Sequence, residues 1–216
     1  MHKQTQQILL NRQQLDNTTS GTSILSRPDS AQLFFVYPGK RRAVAGANPM
    51  FLLNSGLGDR NIAFVRDAKT SRFETGIDDA LPTFNAVLDW HKHHIESLRH
   101  VREVYTVGNS GGGYSALMFG HLLRVKTVFA FCPRDPRRGP KLRRLLARWN
   151  GVTRYHVYYS ENDSRDAVFA ARLDGVPYLS LHASDPRHND DHNIMAQMAN
   201  RGELNDIFPP SLKVQG

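Results

Sequence analysis

One serine of this chain stands between glycines in the pattern Gly-x-Ser-x-Gly, over residues 108–112. The preceding run, Val104–Val107, is β-branched and aromatic, which is typical of a buried parallel strand. Apolar residues after the pattern recur at helical spacing as far as Val125. A serine on a tight strand-to-helix turn projects its hydroxyl above the strand ends, and the following helix directs its positive end at the same point. Ser110 is therefore a candidate nucleophile, and the Gly111 N–H is a candidate donor to an oxyanion.

A glycine-rich turn between strand and helix can also bind a phosphate group on its backbone N–H groups. The Gly-Lys-Ser/Thr ending of a P-loop is absent here, and the glycines do not have the spacing of the dinucleotide-binding pattern. The pattern therefore favours the nucleophilic serine.

A serine nucleophile needs a base to accept its proton and an acid to orient that base. Two aspartates, Asp163 and Asp166, follow a predicted strand downstream of Ser110. Two histidines, His188 and His192, follow the last predicted strand. The residues thus occur in the order serine, acid, histidine, with two candidates for each partner.

The order of these features resembles that of the α/β-hydrolase family. A strand, a glycine-flanked serine and a helix come first, and an acid and then a histidine follow. The resemblance covers the chain from Gln32 to Leu204. It implies a serine hydrolase that transfers an acyl group to water through a serine ester, as esterases, lipases, thioesterases and deacylases do. It implies no cofactor.

The resemblance also implies roles for the candidate partners. The stretch Tyr159–Asp163 is similar to the family's strand-Gly-x-x-Asp pattern, which favours Asp163 as the acid, with Asp166 as its rival or as a helix cap. His192 precedes the final predicted helix, as the family's catalytic histidine does, and His188 is the substitute.

A second oxyanion donor is expected from the loop after the next upstream predicted strand, Met50–Asn54. Leu57, between two glycines, is the candidate, although the family's common His-Gly form is absent. Arg60 nearby is a candidate for binding an anionic part of the substrate.

Predicted strands alternate with predicted helices along the chain, which indicates a mostly parallel sheet covered on both faces. Three of these strands are Gln32–Tyr37, Thr127–Phe131 and Arg154–Tyr159. We expect an α/β-hydrolase-like, three-layer sandwich of about six strands, formed by one domain over residues 31–216. Residues 1–30 are predicted to be a polar N-terminal extension with one short helix around Thr5–Leu15. The three candidate segments each follow a strand, so they meet at the carboxyl edge of the sheet.

Composition limits the class of protein. The chain has 216 residues and a net charge of +8, with no apolar run near the roughly 20 residues of a membrane span. The polar start lacks the apolar core of a secretory signal, and the single cysteine, Cys132, fits a reducing compartment. These features predict a cytoplasmic protein without a membrane span.

Positive charge is concentrated between Arg134 and Arg154, where eight basic residues accompany only Asp135. Such a segment is either a solvated surface or a surface for an anionic substrate, polymer or partner. No nucleic-acid-binding motif accompanies it, so nucleic acid is disfavoured. The segment also stands where many hydrolases insert a lid, and at about 20 residues it predicts an open site for small or polymeric acyl substrates.

Two other functions compete with hydrolysis: acyl transfer to an alcohol or sugar by the same triad, and non-catalytic binding through the basic segment. The oligomeric state is left open. A metal site was also considered, because His188 and His192 are four residues apart and His91–His94 holds three more imidazoles. The three helical imidazoles cannot all face one way and the H-E-x-x-H pattern is absent, so no metal is predicted.

Overall fold

The computed structural model describes residues 21–39, 52–67, 73–134, 139–185, 187 and 191–214. In these residues seven strands form one sheet, in the order β1-β3-β2-β4-β5-β6-β7. The strands are β1 (Thr22–Leu25), β2 (Gln32–Tyr37), β3 (Asn61–Val65), β4 (Glu103–Asn109), β5 (Thr127–Phe131), β6 (Arg154–Tyr159) and β7 (Leu179–Ala183).

The sheet is mostly parallel, as predicted. Strands β2 to β7 all pair in parallel, and only β1 pairs antiparallel, with β3. The carboxyl ends of the parallel strands therefore share one edge, which is where the candidate residues were expected.

Helices cover both faces of the sheet. They are α1 (Phe84–Ser97), α2 (Gly111–Leu122), α3 (Gly139–Leu146), α4 (Ser164–Leu173), α5 (Ile194–Asn200) and α6 (Leu204–Ile207). Side chains of α1 to α4 pack on one face against Leu33, Phe35 and Tyr37. Side chains of α5 and α6 pack on the other face against Phe34 and Val36. Since adjacent residues of β2 point to opposite faces, this strand is buried on both sides.

Two strands were not predicted. The edge strand β1 lies inside the predicted polar extension, so the sheet begins at Thr22 and not after residue 30. The predicted helix before it falls outside the described residues. The strand β3 lies in a segment that shows no periodicity, because all five of its residues are buried and none alternates with a polar one.

The predicted strand Met50–Asn54 is wrong in its described part. Leu52 has helical backbone angles and Leu53–Leu57 form a helical turn, broken at Ser55 and Gly56. Leu52, Leu53 and Leu57 are all buried and belong to one hydrophobic cluster with β2 and β3. A short apolar run fits a buried strand and a buried helical turn equally well, which explains the error.

Within the described residues, no helix is both long and apolar enough to cross a membrane.

A buried imidazole holds the α1 layer against the sheet. His91 is fully buried, its Nδ1 lies 2.7 Å from the Val87 carbonyl oxygen, and its Nε2 lies 2.8 Å from the Tyr37 hydroxyl. A carbonyl only accepts, so Nδ1 carries the proton and Nε2 accepts from Tyr37. Burial lowers the pKa of His91 from 6.5 to about 4. The structure therefore holds His91 neutral.

The stability of the fold is expected to decrease as the pH falls below 6.5. The unfolded chain binds a proton at His91 near pH 6.5, whereas the folded chain binds it only near pH 4. Above pH 6.5 neither state binds this proton, so His91 does not make stability depend on pH. By pH 4 the proton bound by the unfolded chain lowers the free energy of unfolding by about 3 kcal/mol. Urea unfolding followed by circular dichroism at pH 7.5 and 4.5 measures it. In the double variant Tyr37→Phe, His91→Phe the pH dependence should shrink by about 2–3 kcal/mol, and an unchanged dependence would contradict the assignment.

Candidate active site

Ser110 lies between β4 and α2 in a backbone conformation that side-chain-bearing residues rarely adopt. Its φ is 57° and its ψ is −124°. Its N–H donates to the Phe131 carbonyl at 2.9 Å, and its carbonyl accepts from the N–H groups of Tyr114 and Arg134. These bonds hold the strained turn in place and leave the hydroxyl at the carboxyl edge of the sheet, as the sequence pattern predicts.

Glycine is required on both sides of the serine because backbone crosses backbone there. A Cβ added to Gly108 would overlap the Gly112 carbonyl oxygen, and one added to Gly112 would overlap the Tyr37 carbonyl oxygen. Gly111 is different: a Cβ there would meet no atom of the described residues within 4 Å. The turn therefore packs tightly against β2 at Gly112, whereas no described residue lies over Gly111.

This contrast predicts opposite results for two neighbouring glycine-to-alanine substitutions. Gly112→Ala should destabilise the fold by about 3 kcal/mol, because a backbone oxygen cannot move aside cheaply. Gly111→Ala should change stability by less than about 1 kcal/mol, since the added methyl meets nothing and the N–H is retained. Urea unfolding of the two variants measures both values. Equal destabilisation would show that the turn is not packed as described.

The structure brings Ser110, His192 and Asp166 together from three distant parts of the chain. The Ser110 Oγ lies 2.9 Å from Nε2 of His192. The other ring nitrogen, Nδ1, lies 2.8 Å from Oδ2 and 3.1 Å from Oδ1 of Asp166. An ionised carboxylate only accepts, so Nδ1 donates to Asp166 and Nε2 accepts from the serine hydroxyl. This is the tautomer in which the imidazole can take a proton from the serine.

The aspartate beside His192 is Asp166, whereas the sequence analysis favoured Asp163. Asp166 is buried in the first turn of α4, and its side chain is 0% exposed. Asp163 is instead the N-cap of α4, where its carboxylate accepts the N–H groups of Arg165 and Asp166. The two aspartates are three residues apart, and only the helix start decides which caps and which points inward. His188, the alternative base, lies outside the described residues.

Arg134 is a further charged neighbour of the carboxylate that the sequence analysis did not single out. Its Nε donates to Asp166 Oδ1 at 2.8 Å, and its Nη2 lies 2.6 Å from Asp163 Oδ2. Burial would lower the pKa of Arg134, but the two carboxylates raise it above its usual value. Burial would likewise raise the pKa of Asp163, yet the ion pair with Arg134 and the backbone donors bring it below the usual value. Arg134 thus holds both carboxylates at the start of α4.

The Cys132 thiol is another close neighbour of Asp166. Potential ligand atoms of Cys132, Asp166 and His192 lie within 4.8 Å of one another, the one such group among the residues the structure describes. Burial raises the pKa of the thiol, and the Asp166 carboxylate raises it further, so Cys132 is a neutral S–H group. His192 and Asp166 already bond to each other, which favours a hydrogen-bonded chain over a metal centre at this point. Of the three histidines at positions 91, 93 and 94, His91 is hydrogen-bonded to the Tyr37 hydroxyl in the core.

Leu57 does not lie at the edge of the sheet that holds Ser110. Its carbonyl accepts the Arg60 N–H in the turn leading into β3, and β3 begins at Asn61 opposite Leu33 of β2. This is the amino edge of the parallel strands. Leu57 was expected near the serine because the Met50–Asn54 run was predicted to be the strand beside it.

The strand beside the serine strand is β2, which pairs with β4 up to Tyr37 and Gly108. Pro38 and Gly39, directly after β2, therefore lie beside the serine turn. A Cβ added to Gly39 would lie 3.4 Å from the Ser110 Cβ and 3.3 Å from the Asn109 carbonyl oxygen. Gly39 thus has the position expected for a second oxyanion donor. The sequence signal for it is a Pro-Gly pair directly after a fully buried strand.

Arg60 is also at the amino edge, where it has a structural role. It is 5% exposed, its Nε donates to Gln32 Oε1 at 3.0 Å, and its Nη2 donates to the Pro209 carbonyl at 2.6 Å. Gln32 pairs with Glu103 at the start of β4. Ser110 follows the other end of that strand, about 20 Å away. The predicted contact of Arg60 with substrate is therefore wrong.

The basic residues of this segment that the structure describes differ in their surroundings. Arg134 is directed at the two aspartates, and Arg143 Nη2 donates to the Asp174 carbonyl oxygen. Arg154 begins β6. Arg137 and Arg138 fall outside the described residues.

Comparison with known proteins agrees with this architecture. No family model and no curated protein sequence matches the chain. Several solved structures match it. An α/β serine hydrolase homologue from Coxiella burnetii matches with a TM-score of 0.58 at 13% identity, over 87% of this chain and 91% of that one. The ferulic-acid complex of Est1E from Butyrivibrio proteoclasticus matches with a TM-score of 0.54 at 13% identity, over 86% and 93%.

A third match is the esterase Pf2001 from Pyrococcus furiosus, with a TM-score of 0.53 at 15% identity, over 87% of each chain. These identities are low, and the likeness rests on the arrangement of strands and helices over most of each chain. With its mostly parallel sheet, its covering helices and its serine turn, this chain has the fold of the α/β-hydrolase superfamily.

Proposed function

We propose that this protein is a serine hydrolase that cleaves a carboxylic ester or thioester through an acyl-enzyme intermediate. The observation that carries the proposal is the continuous chain of hydrogen bonds from the Ser110 hydroxyl through His192 to Asp166, at 2.9 and 2.8 Å. The acid is buried, whereas the imidazole is 25% exposed and can be reached from solvent. Three residues far apart in sequence meet in the order and geometry that nucleophilic catalysis needs.

In the first step Ser110 Oγ attacks the carbonyl carbon while His192 Nε2 accepts the hydroxyl proton. The carbonyl π electrons move to the oxygen, which becomes an oxyanion. When the tetrahedral species collapses, the bond to the leaving group breaks and His192 returns the proton to that group. Asp166 keeps Nδ1 protonated and stabilises the positive imidazolium. The products of this step are the free alcohol or thiol and a serine ester.

In the second step water replaces the leaving group. His192 Nε2 takes a proton from water, the hydroxyl attacks the serine ester, and the proton returns to Ser110 Oγ as the acid departs. In both steps the oxyanion is stabilised by the N–H of Gly111 at the start of α2, and by the N–H of Gly39 beside the serine turn. The esterases among the structural neighbours support ester cleavage as the reaction class.

A fluorophosphonate probe tests this function without knowledge of the substrate. The wild-type protein should become labelled at one residue, Ser110, as found by mass spectrometry of the digested protein. His192→Ala should slow labelling at least about 100-fold, because the hydroxyl loses its base. Ser110→Ala should abolish it.

Ser115 provides the matched control, since it is a buried serine of the same helix whose Oγ bonds to the Gly111 carbonyl oxygen. Ser115→Ala should retain labelling at Ser110. A folded wild-type protein that takes up no label, or takes it up elsewhere, would overturn the proposed function.

A further inference from the structure

A groove of about 330 Å³ runs along α4 beside the candidate triad. Three of its lining residues, Arg165, Val168 and Arg172, are spaced by three and four positions and so lie on one side of the helix. Two guanidinium groups therefore flank an apolar side chain. The remaining lining residues are Arg134, Ser164 and Phe169.

The two helical arginines are exposed and at most weakly paired within the described residues. Arg165 is 75% exposed, and its nearest carboxylate oxygen, of Asp163, is 3.7 Å away. Arg172 is exposed and has no ion-pair partner in the described part of the chain. Arg134, by contrast, is neutralised by Asp163 and Asp166. An anion entering the groove would thus meet Arg165 and Arg172 as its binding groups.

The groove is also apolar. Val168 is 51% exposed, and Phe169 is 3% exposed beneath the groove. A bare inorganic anion would leave this apolar surface in water. A ligand that combines a hydrocarbon chain with an anionic end would cover both parts.

One end of the groove lies at Arg134, which contacts two of the candidate catalytic residues. The Arg134 N–H donates to the Ser110 carbonyl oxygen at 3.1 Å, and its guanidinium contacts Asp166. From Ser164 at the near end to Arg172 at the far end, the helix extends about 12 Å. A substrate with its ester at Ser110 would thus have to pass Arg134 with an extended chain to reach the two arginines.

We propose that this groove binds the anionic end of the substrate, and that the substrate class is an ester or thioester whose chain ends in a carboxylate or phosphate. The inference rests on the proposed function, since it names the substrate of the same site. Arg165 and Arg172 would then be the residues that select an anionic substrate. Arg60, predicted for that role from the sequence, is buried at the opposite edge of the sheet.

The experiment compares matched esters. p-Nitrophenyl monoesters of straight-chain dicarboxylic acids of increasing length are each assayed beside the neutral ester of the monocarboxylic acid of equal length. The measured quantity is the ratio of kcat/KM for the charged ester to kcat/KM for the neutral one. In the wild type the ratio should rise once the chain spans the groove. Arg165→Gln and Arg172→Gln should each lower it about tenfold, the loss expected for one charge-assisted contact.

Arg148→Gln is the control, because Arg148 is exposed and does not line the groove, while the charge removed is the same. It should leave the ratio at the wild-type value. Should Arg165→Gln and Arg172→Gln also leave the ratio unchanged, the groove would not be the anion site. A uniform decrease in all three variants would indicate only a long-range effect of net charge, and would overturn the proposal as well.

Binding without turnover separates a failure of this inference from a failure of the proposed function. Titration calorimetry of Ser110→Ala protein with sebacate and with octyl phosphate measures the groove directly. We expect binding of at least one, weakened about tenfold by Arg165→Gln or Arg172→Gln, and the stronger of the two identifies the anion. If neither compound binds, the groove is not an anion site, even if the fluorophosphonate probe labels Ser110 of the wild-type protein. If a compound binds but the probe does not label the wild-type protein, only the proposed hydrolase function is overturned.

Discussion

Replacing Ser110 with alanine is expected to lower kcat on an ester substrate about 10⁶-fold, and adding His192→Ala should lower it no further. The reason is that the two side chains act as one unit, joined by a 2.9 Å hydrogen bond. Without the hydroxyl there is no nucleophile for the imidazole to activate, and without the imidazole the hydroxyl keeps its proton. The residual rate would come from binding and from the oxyanion donors alone.

Steady-state kinetics with a chromogenic ester on Ser110→Ala, His192→Ala and the double variant measure this non-additivity. Near-ultraviolet circular dichroism establishes that each variant is folded. If the effects of the two single substitutions multiplied in the double variant, Ser110 and His192 would act independently and the proposed chain would be wrong.

Replacing Asp166 with asparagine is expected to lower kcat about 10⁴-fold. The amide can no longer hold Nδ1 of His192 protonated or stabilise the imidazolium, so the ring is free to adopt the tautomer that cannot accept the serine proton. Because Asp166 is buried, its carboxylate stabilises the imidazolium of His192 strongly, since charges interact more strongly away from water.

Asp163→Asn is the matched control for that substitution. Asparagine is as good an N-cap as aspartate, so α4 should begin at the same residue. The ion pair with Arg134 is weakened, but Arg134 keeps its 2.8 Å bond to Asp166. We expect kcat within about tenfold of wild type. If Asp163→Asn lost 10⁴-fold and Asp166→Asn did not, the acid would be Asp163 after all.

The elements around the serine were predictable from the sequence alone. A β-branched run, a glycine-flanked serine and a helical periodicity are local signals, each determined by backbone sterics within a few residues. The same holds for the strands Gln32–Tyr37, Thr127–Phe131 and Arg154–Tyr159, whose predicted bounds agree with the structure. The mostly parallel order of the sheet follows from the alternation of strands and helices.

The sequence limited the acid to two aspartates, and the family resemblance favoured Asp163, although Asp166 is the one beside His192. Asp163 and Asp166 are separated by less than one helical turn, and both follow β6. Which one points at His192 depends on the residue at which α4 begins. That depends in turn on the cap at Asp163 and on the ion pair with Arg134, a residue 29 positions away in the chain.

What only the tertiary structure decided is the neighbourhood of the serine strand. Strand order is a long-range property, set by burial on both faces, and no local pattern indicates that β2 and not the Met50–Asn54 run lies beside β4. For this reason Leu57 and Arg60 were predicted near Ser110, although they lie at the opposite edge of the sheet. The Gly39 loop and the groove of Arg165 and Arg172 became visible only once the chain was folded.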